Sequence, residues 1–238
     1  MATFVLIHGG WIGGWVWRST AQQLRQAGHE VFCPTVTGQG ERAHLASPEI
    51  DLHTQIQDVC GVLTYENLHD VIMVAHSAGV MSMVGAAEKE AARLIHLVYV
   101  DTLIPKDGLS FFDLWERPFV QAMTDLALKE GEGWHIPPTL LPYSDSRFTS
   151  TLLKPVTQPL SITNSEAAKL ARSFIHCTDK PADWLIGGSF AIQQAGAQAR
   201  SNGWDYYELP TGHVPMLTMP DALTEVLLTI AQKATPLR

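Results

Sequence analysis

The most constraining feature of this chain is a regular alternation of short apolar runs with amphipathic stretches. Phe4–Ile7, Glu30–Cys33, Val71–Ala75, Leu94–Val100, Ser173–Cys177 and Asp205–Leu209 read as strands. Between and after them, Thr20–Ala27, Asp51–Leu63, Val80–Glu90, Phe190–Arg200 and Ala222–Gln232 read as helices. Within Asp51–Leu63, Leu52, Ile56, Val59 and Leu63 recur at near-helical intervals. Strands without polar alternation, each followed by a helix, are buried on both faces and belong to a parallel sheet covered by helices. The fold class is therefore α/β.

The alternation fails between Leu103 and Asn164, where aromatics and prolines replace it and no clear strand is visible. Residues 1–102 and 165–238 are expected to form one core, with residues 103–164 as a cap inserted into it. A length of 238 residues suits one such domain. A 46 % hydrophobic and 17 % charged composition supplies an ordinary core. The net charge of −8 disfavours phosphate backbones, so no nucleic-acid partner is expected. No apolar run is long enough to span a membrane. The N-terminus lacks a basic region before its apolar segment, so no secretion signal is read and the cytoplasm is the expected location. Cys33, Cys60 and Cys177 are odd in number and widely spaced, against a disulfide framework or a cysteine zinc site.

Chemistry concentrates at the ends of the strands. Ser77, in Val74-Ala75-His76-Ser77-Ala78-Gly79, lies between a buried strand and a helix. A serine on a tight strand-to-helix turn needs tiny neighbours, and Ala75 and Gly79 provide them; Ala75 stands where glycine is usual. The plainer reading is a helix-capping serine. His8-Gly9-Gly10-Trp11 follows the first strand, and the Gly10 N–H with that of Ala78 would make a two-donor oxyanion hole. His8 itself reads as a structural, hydrogen-bonded residue, and His76 as packing within the turn. His213 follows the last strand in Thr211-Gly212-His213, in the order Ser first and His last. His44, His53, His69, His96 and His176 show no metal-ligand spacing, and neither a metal nor an organic cofactor is implied.

A third member should orient His213. Asp101 ends the strand Leu97–Val100, while Asp179 and Asp183 follow the strand ending at Cys177. A buried strand-end acid is costly unless paired, which favours Asp101. Asp179 and Asp183 sit beside Lys180, Pro181 and Trp184 in what reads as a solvated loop. Trp11, Trp115, Phe119, Met123 and Trp134 are candidate contacts for an apolar or aromatic substrate, although cap packing explains each singly.

Taken in order, HGGWIGGWVW, GQGERAHL, AHSAG, LVYVDTLIPKDG and TGH resemble the bacterial α/β-hydrolase-fold esterases related to plant methylesterases and hydroxynitrile lyases. The resemblance spans nearly the whole chain. It implies a Ser77–His213 esterase or lactonase acting on a small molecule through an acyl-enzyme, and a homodimer is compatible with it. Aspartate at the position of Asp101 fits the bacterial side of the group, with Asp183 next in rank. Lyases of the group carry threonine and lysine where this chain has Gly9 and Val214; the lysine handles the cyanide charge, so its absence favours hydrolysis over carbon–carbon cleavage. A hydrolase fold reused purely for ligand binding is the other alternative, against which an intact Ser77 and His213 argue. Ala78 replaces a tyrosine usual in relatives and enlarges the space beside the site.

Overall fold

The computed structural model describes residues 1–140, 145–181 and 188–234. Its strands are β1 (Thr3–Ile7), β2 (Glu30–Phe32), β3 (Val71–His76), β4 (Leu94–Val100), β5 (His135–Ile136), β6 (Thr151–Leu152), β7 (Ala171–Cys177) and β8 (Asp205–Leu209). The helices are α1 (Arg18–Gln26), α2 (Leu52–Tyr65), α3 (Gly79–Glu90), α4 (Arg117–Glu130), α5 (Leu153–Thr157), α6 (Ser165–Lys169), α7 (Gly188–Ser201), α8 (Pro215–Thr218) and α9 (Pro220–Ala234).

Six strands form a parallel sheet in the order β2-β1-β3-β4-β7-β8. β3 is buried at all six positions and β4 at six of seven, as expected for strands covered on both faces. Alternate side chains go to opposite cores. Val5, Ile7, Met73, Ala75, Leu97 and Tyr99 join α2, α3 and α7 on one face. Phe4, Leu6, Ile72, Val74, Val98 and Val100 join α1 and α9 on the other.

The strand order reverses between β1 and β3. The chain steps outward from β1 to β2 and then returns to the other side of β1. Such a switch point leaves a crevice beyond the carboxyl ends of the two strands, where ligands bind in open α/β sheets. The segments that emerge there are His8–Trp11 after β1 and Ser77–Ala78 after β3.

The 103–164 segment leaves the sheet after β4 and returns through α6 to β7. It contains α4, α5 and an antiparallel β5–β6 pair. The absence of strands expected there is thus corrected: β5 and β6 exist, but at two residues each they are too short to show periodicity. Trp11 ties this segment to the sheet. Its Nε1–H donates to the Ile136 carbonyl at 2.8 Å, and its own carbonyl accepts from Thr149 N–H at 2.9 Å. Among the described residues no helix is long and apolar enough to cross a membrane.

Candidate active site

Ser77 sits directly beyond β3 with φ of 51°. A β-carbon is strained in that region, and such strain persists only where the surroundings enforce it. Three contacts do so. Ser77 N–H continues the sheet to Val100 O at 3.3 Å, Val80 N–H closes the first helical turn on Ser77 O at 3.1 Å, and the Thr102 hydroxyl donates to the same oxygen at 2.7 Å. The glycines on either side are obligatory. A β-carbon on Gly79 would lie 2.2 Å from the His8 carbonyl oxygen, and one on Gly9 would lie 2.8 Å from both Ser77 Cβ and His76 Nδ1. Ala75, fully buried between Ile7 and Tyr99 in the sheet, fits without glycine.

His213 is buried on the loop after β8, and its Nδ1 lies 2.7 Å from Asp101 Oδ2. Asp101 is wholly buried at the end of β4, with φ of 43°. Its Oδ1 accepts from Cys177 N–H at 2.9 Å and from the Lys180 ammonium at 2.6 Å. The Lys180 side chain is only 3 % exposed, and it also donates to the Cys177 carbonyl. Burial pushes the Asp101 carboxyl up, but the donors from His213 and Lys180 outweigh it and hold the acid below its ordinary range. Burial holds the His213 imidazole below its ordinary 6.5; Asp101 opposes that shift and Lys180 adds to it.

Two further histidines are framework. His8 bonds Gly9 O through Nδ1 at 2.7 Å and accepts Val36 N–H through Nε2 at 3.1 Å, and burial pushes its pKa down to about 4. A neutral ring satisfies both bonds. His76 donates from Nε2 to the His213 carbonyl at 2.7 Å, with the two rings 4.5 Å apart. Burial and the neighbouring His213 hold it well below 6.5. Both match their expected structural roles.

Ser77, Ala78, Gly10 and His213 open onto one cavity. Apart from His76 and Thr151 its remaining wall is apolar: Trp11, Ile12 and Val214 from the core, and Phe111, Phe112, Trp115, Phe119, Ile136, Phe148 and Val156 from the 103–164 segment. Gly10 and Ala78 N–H groups have no hydrogen-bond acceptor among the described residues. Of the expected substrate contacts, Trp11, Trp115 and Phe119 line this cavity, with Trp115 stacked on Phe119 at 4.3 Å. Met123 and Trp134 do not. Met123, one turn beyond Phe119 on α4, points into the core and is 1 % exposed. Trp134 lies beside His135 with its Nε1 on Glu132.

Asp179 does not reach His213. It is exposed, and its N–H donates to Thr211 O at 3.0 Å. Asp183 lies outside the described residues. The expectation of a plain solvated loop is corrected at Lys180, which is buried against Asp101. Sequence alone gave no sign of this, since a lysine between Asp179 and Pro181 looks exposed. Phe111, Phe112, Phe148, Thr151 and Val156 were also missed as cavity wall; their segment lacks the periodicity that would orient them. Among the described residues no cluster of three His, Cys, Asp or Glu is placed to hold a metal ion.

A strained serine on a strand-to-helix turn, a buried histidine–aspartate pair and unpaired amides at a topological switch point are the parts of a hydrolase site. The alpha/beta hydrolase family model matches residues 4–226, and the chain belongs to that family. It is 35 % identical over 245 residues to a carbendazim hydrolyzing esterase of a Nocardioides species, covering 95 % of this chain and 98 % of that protein. It is 26 % identical over 260 residues to methyl jasmonate esterase 1 of Vitis vinifera, covering 96 % of each. Among solved structures, an extracellular α/β-hydrolase from a Paenibacillus species superposes with a TM-score of 0.77 at 19 % identity, covering 96 % of this chain and 98 % of that one. A pyrethroid hydrolase from Sphingobium faniae does so with a TM-score of 0.73 at 21 % identity, covering 97 % of each. The family and these relatives make the chain an esterase-type hydrolase.

Proposed function

We propose that the protein hydrolyses small carboxylic esters or lactones with an apolar or aromatic portion, using Ser77 as nucleophile, His213 as general base and Asp101 as the acid that orients it. The observation that carries this reading is the opening of Ser77, His213, Gly10 and Ala78 onto one apolar cavity, with His213 Nδ1 held by Asp101 at 2.7 Å.

The chemistry follows from the bonding. Asp101 fixes the Nδ1–H tautomer, so Nε2 is the nitrogen that accepts the Ser77 proton. Ser77 Oγ attacks the carbonyl carbon, and the oxygen that gains charge is received by Gly10 and Ala78 N–H. His213 returns its proton to the leaving oxygen and the alcohol departs. A water, deprotonated by the same imidazole, then attacks the acyl-enzyme and releases Ser77. The apolar wall excludes bulk water and strengthens the two-donor contact; one such donor is commonly worth about 3 kcal/mol. Val214, on the cavity wall where cyanide-handling relatives place a lysine, leaves that wall apolar and favours hydrolysis over carbon–carbon cleavage.

The test is turnover of p-nitrophenyl acetate and butyrate, with carbendazim and methyl jasmonate as further substrates suggested by the relatives. Wild type is expected to turn over p-nitrophenyl butyrate, Ser77→Ala to be inactive, and a fluorophosphonate to label Ser77 in mass spectra. No turnover and no label, together with cyanide release from mandelonitrile, would replace this reading by the lyase one. Tight ligand binding without turnover would replace it by a binding role.

A further inference from the structure

We propose that Lys180 is a positioning residue of the Ser77–His213–Asp101 site, fixing the Asp101 carboxylate and setting the lower edge of the pH range in which His213 acts as a base. The inference rests on the triad reading above.

The geometry is that of a carboxylate held from two sides. Oδ2 of Asp101 faces His213, while Oδ1 takes Lys180 and the Cys177 N–H. Each oxygen is committed, so the carboxylate has no rotational freedom, and its plane is set by two segments, the end of β7 and the loop carrying Lys180. A fully buried aspartate in a left-handed backbone conformation needs that anchorage.

Charge gives Lys180 its second effect. With Asp101 ionised and Lys180 protonated, the buried pair is neutral while His213 is neutral. Protonating His213 then sets a second positive charge near the Lys180 ammonium with little water to screen the repulsion. Without Lys180, the same protonation would create a neutral imidazolium–carboxylate pair. Lys180 thus opposes the inactive, protonated base, adding to the larger effect of burial in lowering the basicity of His213. Among the described residues, the other ionisable groups packed around the pair do not place a positive charge on Asp101. From β3, His76 is neutral and donates to the His213 carbonyl. From β1, His8 is neutral and bound to backbone. From β7, His176 is turned to the Tyr206 hydroxyl, and burial pushes the Cys177 thiol up, keeping it protonated. Asp179, on the Lys180 loop, is exposed. Among the described residues, Lys180 is the cation in contact with Asp101 other than His213 itself.

The experiment is the pH profile of kcat/KM for phenyl butyrate, with phenol measured by chromatography, in wild type, Lys180→Met, Lys180→Arg and Ser77→Ala. Lys180→Met is expected to move the acidic limb up by about one pH unit, the lower end of what a neighbouring charge produces. Lys180→Arg, which keeps the cation, is expected to track wild type. If Lys180→Met does not fold, Lys180→Gln carries the same expectation, since it keeps a hydrogen-bond donor and loses the charge. The pH dependence of fluorophosphonate labelling of Ser77 reads the same His213 titration without deacylation. An unmoved acidic limb in a folded, charge-free variant overturns the inference while leaving the triad intact. Activity surviving in Ser77→Ala overturns the triad reading itself.

Discussion

On the proposed triad, Asp101→Asn separates catalysis from stability, because the two carboxylate oxygens have different partners. The carboxamide keeps the shape of the carboxylate. Its oxygen can still accept from Cys177 N–H and Lys180, which leaves its NH₂ facing His213 Nδ1. A donor there forces the proton of His213 onto Nε2, and a protonated Nε2 cannot take the Ser77 proton. The expected fall in kcat is about 10⁴-fold, the cost of a wrong tautomer in a triad of this logic. Stability falls for another reason: Lys180, 3 % exposed, loses its counter-charge. Removing one partner of a buried ion pair costs about 3–5 kcal/mol. The retained neutral hydrogen bond puts the value near about 3 kcal/mol, or roughly 6–12 °C in Tm for a chain of this size. Adding Lys180→Met removes the stranded charge, so the double variant should regain at least about half of the lost stability and stay inactive. Urea unfolding at neutral pH and phenyl butyrate turnover measure the two axes separately. Asp101→Asn within tenfold of wild-type activity would refute the triad assignment. A double variant no more stable than Asp101→Asn would refute the ion-pair argument.

Four other outcomes follow from local contacts and burial. Gly79→Ala drives a β-carbon to 2.2 Å from the His8 carbonyl oxygen, so β1 and α3 must part; urea unfolding should show a loss of about 3 kcal/mol. Gly61→Ala, in α2 with nothing within 4 Å of the new carbon, should instead stabilise by about 0.5–1 kcal/mol, and equal midpoints for the two variants would remove the crowding argument. Trp115→Leu deletes on the order of 60 Å² of apolar wall, about 1.5 kcal/mol, so KM for naphthyl butyrate should rise roughly tenfold with kcat little changed; a fall in kcat alone would place the ring elsewhere than against substrate. Stability should decline as pH falls from 6.5 to about 4. His8 is held neutral down to about 4 when folded but takes up a proton near 6.5 when unfolded, so protons favour the unfolded chain across that window, by up to about 3 kcal/mol from this residue. The lowered His76 and His213 act with the same sign. Urea midpoints that stay flat over that range would contradict the buried, neutral His8.

What was legible in the chain depended on whether position along the sequence implied position in space. β3 and β4 were readable because strands covered on both faces are apolar throughout, and their last residues mark the carboxyl edge of the sheet. Ser77 and Asp101 inherit their location from those ends, one residue beyond each strand. His213 was readable as a loop histidine after the final strand. Lys180 was not, since its burial comes from Asp101, 79 residues away, and no local pattern encodes that pairing. Met123 shows the converse failure. It shares helical spacing with Phe119, yet one residue meets the cavity and the other the core, because spacing defines a face of α4 but not what that face is packed against. The aromatic wall from the 103–164 segment was legible as composition and not as geometry.

Three of the non-glycine residues with left-handed backbone lie at this one edge: Trp11, Ser77 and Asp101, with φ of 63°, 51° and 43°. Each follows the end of a different strand of the consecutive set β1, β3 and β4, and each is pinned by bonds to a neighbouring segment. The strain therefore has one cause. Neighbouring parallel strands deliver their ends about 5 Å apart, and turning the chain sharply at each end keeps the proposed oxyanion loop, nucleophile and acid close to one imidazole. With Asp101 following β4 and Ser77 following the adjacent β3, the sheet itself sets the spacing of the proposed acid and nucleophile. Among its described residues, the loop after β7 brings Lys180 to the Asp101 carboxylate. On the proposed reading, the Lys180 cation is paired with an acid that arrives from β4 rather than from its own stretch of chain, and its charge favours the neutral imidazole of His213 over the protonated one.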